Sequence, residues 1–378
     1  MNEIKIPNPR LKSLDALRGF DMFWIIGGEN VVHNLAKATN LPFFQSLSLQ
    51  FEHVDWIGFR FYDLIMPLFL FMVGMSIPYA LSKRLSEGES KSRIYLHSFK
   101  RAVILFIFGM ISQCHLLTLD ISQMHVIHDT LQSIAIGYFF SVIIFSELKL
   151  KNQIILTSSI LLVFWAVLTF VPVPGQPAGQ LLPQNNIAKH IEKFVFGRFD
   201  DGPSDYTWFL SSLGFIVTVM TGVFASTILR SKNLKLKFIK TNDLQIHKFY
   251  ALAITGMAFV VAGRLADIWF PIIKHIWNPS FILFSSGLSY LLMAVFYFII
   301  DVKGYARWAF WMRVIGMNSI FVYMAVHLIN FEDIAQNVIF GTEQFLGIYY
   351  PVLKSIAGLT IIYVILYYMY KKGTFLKV

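Results

Sequence analysis

Residues 51–74 read FEHVDWIGFRFYDLIMPLFLFMVG. The second half is an unbroken apolar run. The opening residues of the stretch carry ionisable groups, among them His53, Asp55, Arg60 and Asp63. Such groups are costly at the mouth of an apolar span, and there they mark a cavity, a partner or chemistry. A histidine followed by a carboxylate can take and hold a proton. The imidazole acts as general base, and the carboxylate orients the ring and stabilises its charged form. The same histidine could instead carry an acyl group itself. Asp63 lies roughly five residues into its run, about 7 Å deep at a helical rise of about 1.5 Å per residue. Arg60 is its nearest basic partner in sequence.

Further polar groups punctuate the apolar chain. Glu29 and Asn30 close the first apolar run, and HVIH (125–128) carries His125 and His128, followed by Asp129. His327 ends a later run, in the middle of which lies Asn318. Asn318 could donate to a developing oxyanion or simply bond between helices. Two histidines are too few to define a metal site, and none is expected. Arg18, Arg84, Arg101 and Arg313 fall toward the opposite ends of their runs, where they suit a phosphate-bearing ligand. Trp277 and the tyrosines 349–350 suit an interfacial aromatic belt. No P-loop, no GxGxxG after a strand, no CxxC and no GxSxG elbow occurs.

The elements that must position these groups are helices in a bilayer. The 378 residues are 56% hydrophobic and only 14% charged, against about 25% charged in a soluble domain. Ten runs reach the length of about 20 residues that a span needs: about 14–31, 59–82, 98–118, 127–146, 153–173, 206–229, 247–268, 279–300, 308–328 and 348–370. Asp15 and Arg18 in the first run, with no small-residue cleavage site after it, read as an anchor and not as a cleavable signal. Alternate connections collect 24 of the 32 Lys and Arg. The positive-inside bias then places both termini in the cytoplasm. The net charge of +10 is thus mostly topology and calls for no nucleic acid. The single Cys114 forms no internal disulfide. The expected fold is an all-α integral membrane protein: a single polytopic domain over 1–378, about ten transmembrane helices in one bundle, and an extracytoplasmic loop at 174–205 with a short helix around Ile187–Phe196.

Several stretches resemble the heparan-α-glucosaminide N-acetyltransferase family: RLKSLDALRGFDMFWIIGG (10–28), HVDWIGFRFYDLIMPLFLFMVGMS (53–76), LQSIAIGYF (131–139), FPIIKHIWNPSFILFSSGLS (270–289) and GMNSIFVY (316–323). They occur in family order along nearly the whole chain. The most specific part is H-x-x-W-x-G-x-x-x-x-D-x-x-x-P, met by His53, Trp56, Gly58, Asp63 and Pro67. LDALRG also resembles the start of the wider membrane acyltransferases that O-acylate surface sugars. The resemblance implies acetyl transfer from cytoplasmic acetyl-CoA to an amino sugar across a bacterial inner membrane. It implies His53 as catalytic histidine, Asp63 as its carboxylate, Asn318 as the polar residue of the GMNS motif and Arg18 near the CoA entrance. Arg84 and Arg101 join Arg18 as candidates for CoA. Glu29, Asn30, Trp56, His128 and Trp277 are the candidates for the acceptor. The chain departs from the pattern at Glu29, where animal enzymes carry asparagine, and at HVIHDTLQS, where many relatives read R-I-P-G-V-L-Q-R. Acetyl-CoA as donor substrate, no metal, membrane lipid as surroundings and no nucleic acid complete the expectation, with a homodimer left open. The rival reading is a transporter of N-acetylglucosamine-type sugars or cell-wall fragments. A catalytically silent sensor or scaffold is the third.

Overall fold

The computed structural model describes residues 11–200 and 206–376. Lys5, Arg10 and Lys377 of the charge pattern, and the end of the 174–205 connection, lie outside them. The described residues are helical, with no strand among them. The helices are α1 Lys12–Phe23, α2 Glu29–Thr39, α3 Pro42–Gln50, α4 Ile65–Ser86, α5 Lys91–Ser112, α6 Thr130–Glu147, α7 Leu150–Phe170 and α8 Ile187–Phe196. They continue as α9 Ser212–Arg230, α10 Leu244–Asp267, α11 Pro279–Phe296, α12 Phe310–Gly316, α13 Ser319–Leu328, α14 Phe331–Val338, α15 Glu343–Leu346 and α16 Tyr350–Lys372.

Among the described residues, eight helices are long and apolar enough to cross a membrane: Phe61–Ser86, Lys91–Ser112, Thr130–Glu147, Leu150–Phe170, Ser212–Arg230, Leu244–Asp267, Pro279–Val302 and Glu343–Lys372. The protein is a multi-pass membrane protein. The two other expected spans are interrupted. The first is broken by a wide π-type turn over Trp24–Gly28, where Gly27 has φ +124°, a backbone region that side chains rarely adopt. The run at 308–328 splits at Met317–Asn318 into α12 and the ten-residue α13. The short helix expected in the long connection is α8.

The chain divides into two compact units. Of the described residues, the first takes those up to His53, Arg60–Ile65 and the chain from Leu292 onward. The second takes Val54–Phe59 and Met66–Leu291. In the first, α1 lies against α12 with their backbones touching. A Cβ on Gly19 would stand 1.6 Å from the Met312 carbonyl oxygen, and one on Gly316 would stand 2.1 Å from that of Asp15. In the second, α4 meets α9 the same way: a Cβ on Gly74 would lie 1.9 Å from the Val219 oxygen, and one on Gly222 would lie 1.9 Å from the Phe71 oxygen. Small residues at helix crossings replace the hydrophobic effect, which lipid removes, with close van der Waals packing.

The reciprocal contact of Gly74 and Gly222 makes a direct prediction. Gly222→Val must push α9 off α4 and should destabilise the protein by about 3 kcal/mol. The check is the melting temperature of the purified variant in detergent against wild type.

Candidate active site

His53 stands in the loop between α3 and the 3-10 turn Phe61–Leu64 that opens the α4 span. Its Nδ1–H donates to Asp63 Oδ1 at 2.8 Å, and Asp63 is fully buried while His53 is 43% exposed. The other carboxylate oxygen, Asp63 Oδ2, accepts the Arg60 backbone N–H at 3.0 Å. Asp63 therefore caps its own turn and holds the imidazole at once. With Nδ1 carrying the proton, Nε2 is the basic nitrogen of the ring. The Arg60 guanidinium does not pair with Asp63, as its place in sequence had promised. It donates to the His53 carbonyl at 3.0 Å and to Glu52 at 3.4 Å. Arg60 is thus a clamp on the loop backbone and reaches the carboxylate only through its own main chain.

An aromatic floor supports this loop within the first unit. Trp24 of the π-type turn packs on Phe51 at 4.5 Å and on Phe61 at 5.8 Å between ring centroids. Phe51 and Phe61 meet edge to face at 5.2 Å. The Tyr62 ring lies 4.9 Å from the His53 ring, and its hydroxyl is in electrostatic reach of Glu29. Sequence reasoning missed Tyr62, because a tyrosine at a span mouth reads as an ordinary interfacial residue. It also missed Asp21, a fully buried carboxylate on α1. Neither Asp21 oxygen has a hydrogen-bond partner among the described residues. The signal was an aspartate within an apolar run, the same signal that exposed Asp63.

The remaining candidates separate. Asn30 turns to Glu332, donating to its Oε1 at 3.0 Å. Asn318 is buried, and its amide is occupied by the chain end: Nδ2 donates to the Thr374 carbonyl at 3.3 Å and Oδ1 accepts from Leu376 N at 3.0 Å. Asn318 therefore fastens the C-terminal segment and does not aim an amide at a reacting carbonyl. Arg18 meets Asp15 at 3.4 Å.

In the second unit, Trp56 donates its indole N–H to the Leu181 carbonyl at 2.7 Å. Its ring begins a file of touching rings. Trp56 meets His275 at 5.1 Å, His275 meets Tyr206 at 4.1 Å, and Tyr206 meets Trp208 at 6.0 Å. From Trp208 the file runs to His128 at 6.2 Å, then to His125 at 5.7 Å and His115 at 6.3 Å. Two acceptor candidates, Trp56 and His128, thus stand in one ring assembly that sequence spacing did not reveal. Trp277 belongs to the core and not to an interface. It is 2% exposed with φ +54°, and it donates to Thr218 Oγ1 at 3.1 Å. Arg84 lies 3.0 Å from His97 Nε2, and Arg101 covers the Tyr138 ring at 4.6 Å. The charges of both arginines reach His97, so they share one basic neighbourhood with it. Cys114 is buried, and burial with the nearby Asp129 pushes its thiol up to about 12, which disfavours the thiolate. Among the described residues no group of His, Cys, Asp and Glu stands where it could hold a metal ion.

The sequence pattern described as "Domain of unknown function (DUF5009)" matches residues 10–270. The chain belongs to that family. It is also similar to heparan-alpha-glucosaminide N-acetyltransferase of Homo sapiens, at 26% identity over 375 residues, covering 84% of this chain and 52% of that protein. The Mus musculus protein of the same name is 26% identical over 328 residues, covering 72% of this chain and 48% of that protein. The chain thus spans about half the length of the curated relatives it matches.

One pH dependence follows from the ring file. Burial, with His125 and His115 alongside, pushes His128 down from 6.5 to about 4. Below pH 6.5 the unfolded chain gains a proton that folded His128 refuses. Stability should therefore fall as pH drops from 6.5 to about 4 and level off below, by on the order of 2 kcal/mol after solvent screening. Melting curves across that window should show the loss, and His128→Gln should flatten it.

Proposed function

We propose that this protein transfers an acetyl group from acetyl-CoA to the amine of a glucosamine-like sugar, with His53 as the group that handles the proton or the acyl. The observation that carries the reading is the His53–Asp63 pair, a half-exposed imidazole held at 2.8 Å by a fully buried carboxylate. The similarity to enzymes named heparan-alpha-glucosaminide N-acetyltransferase supports it. The donor is cytoplasmic and the acceptor extracytoplasmic, in a bacterial inner membrane with both termini inside.

An amine is protonated in water and must give that proton to solvent before it attacks. In the direct route the free amine nitrogen forms a bond to the thioester carbonyl carbon while His53 Nε2 takes one of its two remaining protons. The imidazolium that results faces Asp63, whose negative charge stabilises it. The orientation of the ring costs nothing at that moment, because Nδ1–H is already held. The tetrahedral adduct then collapses, the carbon–sulfur bond breaks, and the imidazolium returns its proton to the thiolate. In the stepwise route His53 Nε2 attacks the thioester carbonyl carbon, the carbon–sulfur bond breaks and CoA leaves as its thiolate; the free amine then attacks the acetyl-imidazolium carbon, the bond to Nε2 breaks, and the released thiolate takes the proton that the nitrogen loses. Tyr62 flanks the ring in either case, and Glu29 lies beside Tyr62. In the second unit, Arg84 and Arg101 are suited to phosphate groups. The Arg101 Nε is buried and has no hydrogen-bond partner among the described residues.

Two measurements test this. Purified protein melted with and without acetyl-CoA should show a saturable shift, worth about 2.7 kcal/mol at a hundredfold excess over Kd. The shift should weaken with dephospho-CoA. His53→Ala should keep that shift and lose transfer to glucosamine by a factor of about 100 or more; full transfer in a folded variant would sink the role. Asp63→Asn should lower kcat more than it raises KM, because the carboxylate acts on the charged ring and not on the acceptor.

A further inference from the structure

The first unit holds a cavity of about 530 Å³ that no step above uses. It lies at the helix break beside Gly27, between the end of α13, the start of α14 and the face of α16. Its polar wall is Asn30, His327, Asn330, Glu332 and Ser355, and Ile26, Leu359 and Ile362 are among the residues of its apolar wall. A volume of several hundred Å³ with one apolar wall and a few fixed polar groups suits a small ligand.

Glu332 is the organised part. Its Oε1 accepts two hydrogen bonds, from Asn30 Nδ2 at 3.0 Å and from Ser355 Oγ at 2.8 Å. Ser355 is itself held by Asn34 Nδ2 at 2.9 Å. A Cβ on Gly358 would stand 3.2 Å from Glu332 Cγ, so the glycine gives the carboxylate's stem its room. The carboxylate is thus fixed in position before any ligand arrives. Its second oxygen, Oε2, has no hydrogen-bond partner among the described residues. The neighbouring Asp333 is taken by Lys354 at 3.0 Å. One carboxylate is too few for a divalent cation, which gathers several oxygen ligands. A monovalent ammonium needs only one, with further acceptors and donors for its hydroxyl groups. Asn30 and Asn330 line the same wall and offer those.

The first turn of α2 separates this cavity from the His53 cluster. Glu29 turns its carboxylate to Tyr62, and Asn30, the next residue, turns its amide to Glu332. We propose that the cavity is a binding site for a protonated hexosamine, with Glu332 as counter-ion of the ammonium and the apolar wall against the sugar ring. The class of occupant rests on the acetyltransferase reading; the site itself rests on Glu332 and the cavity. The chemistry gives it a selective role. Acetylation turns the ammonium into a neutral amide, so the product loses its ion pair with Glu332. The cavity therefore retains the acceptor and rejects the acetylated sugar.

The test is equilibrium dialysis of radiolabelled glucosamine against the full chain in detergent, with N-acetylglucosamine and glucose as competitors. Glu332→Gln keeps an oxygen for Asn30 and Ser355 and removes only the charge. Wild type should bind glucosamine, and Glu332→Gln should bind it about tenfold or more weakly. N-acetylglucosamine and glucose should compete poorly, and His53→Ala should bind as wild type does. Equal binding by folded Glu332→Gln, equal competition by N-acetylglucosamine, or no binding by wild type overturns the proposal. If Glu332→Gln binds normally while His53→Ala alone loses transfer, the cavity fails and the acetyltransferase reading stands. If binding depends on Glu332 but no acetyl transfer occurs, the cavity stands and that reading falls.

Discussion

A carboxylate that stays ionised with no exposure to water needs partners in its surroundings, and Asp63 has one on each oxygen. One oxygen takes the backbone of its own helical turn, and the other takes the His53 ring. Leaving either oxygen unmatched would cost a desolvation penalty of several kcal/mol. The need to satisfy Asp63 therefore fixes the start of the α4 span, the path of the loop and the tautomer of the histidine together. Arg60 clamps the loop backbone from outside, and the floor of Trp24, Phe51 and Phe61 supports it from below. The chemistry proposed for His53 needs no additional machinery to orient the ring. Capping the turn and orienting the base are one interaction.

The two polar sites of the first unit use the same device at different strengths. Each has a carboxylate with one oxygen tied down, and in each the group at the other side is a nitrogen. At Asp63 that nitrogen belongs to the protein. At Glu332 it would belong to a ligand. Asn30 and Glu29 divide the labour between them, since adjacent residues on a helix point about 100° apart. The broken first helix makes this possible, because α2 starts afresh at Glu29 after the wide turn.

Much of this was legible in the sequence, and the rest was not for physical reasons. Polar residues within or beside apolar runs stand out, and that signal singles out His53, Asp63 and Glu29 as candidates. It failed where the decisive partner is remote in sequence. Asn318 bonds to Thr374 and Leu376, so its occupation depends on where the C-terminal segment returns. Trp277 resembles a membrane-interface aromatic by type, but a left-handed backbone at that position directs it into the core. Arg60 is near Asp63 in sequence, and only the backbone geometry decides that its main chain makes the contact instead of its guanidinium. Glu332 sits in the short helix α14, outside the long apolar runs, where a carboxylate carries no signal until Gly358, Ser355 and Asn30 are placed around it. The long apolar helices were readable from hydropathy alone, whereas the breaks at Gly27 and at Met317–Asn318 were not, because hydropathy averages over a helix and its interruption alike.

The contact of Gly19 with Met312 and of Gly316 with Asp15 has a mechanical meaning. Two helices whose backbones already touch cannot slide, rotate or part by small amounts without collision or loss of packing. Helices α1 and α12 therefore act as one stiff strut. The α1 side of the strut leads directly into the Gly27 turn, where the chain has no Cβ and an unusual torsion. Compliance along this stretch of backbone is concentrated at a single residue, and any reorientation of Glu29 and Asn30 relative to the strut turns on it.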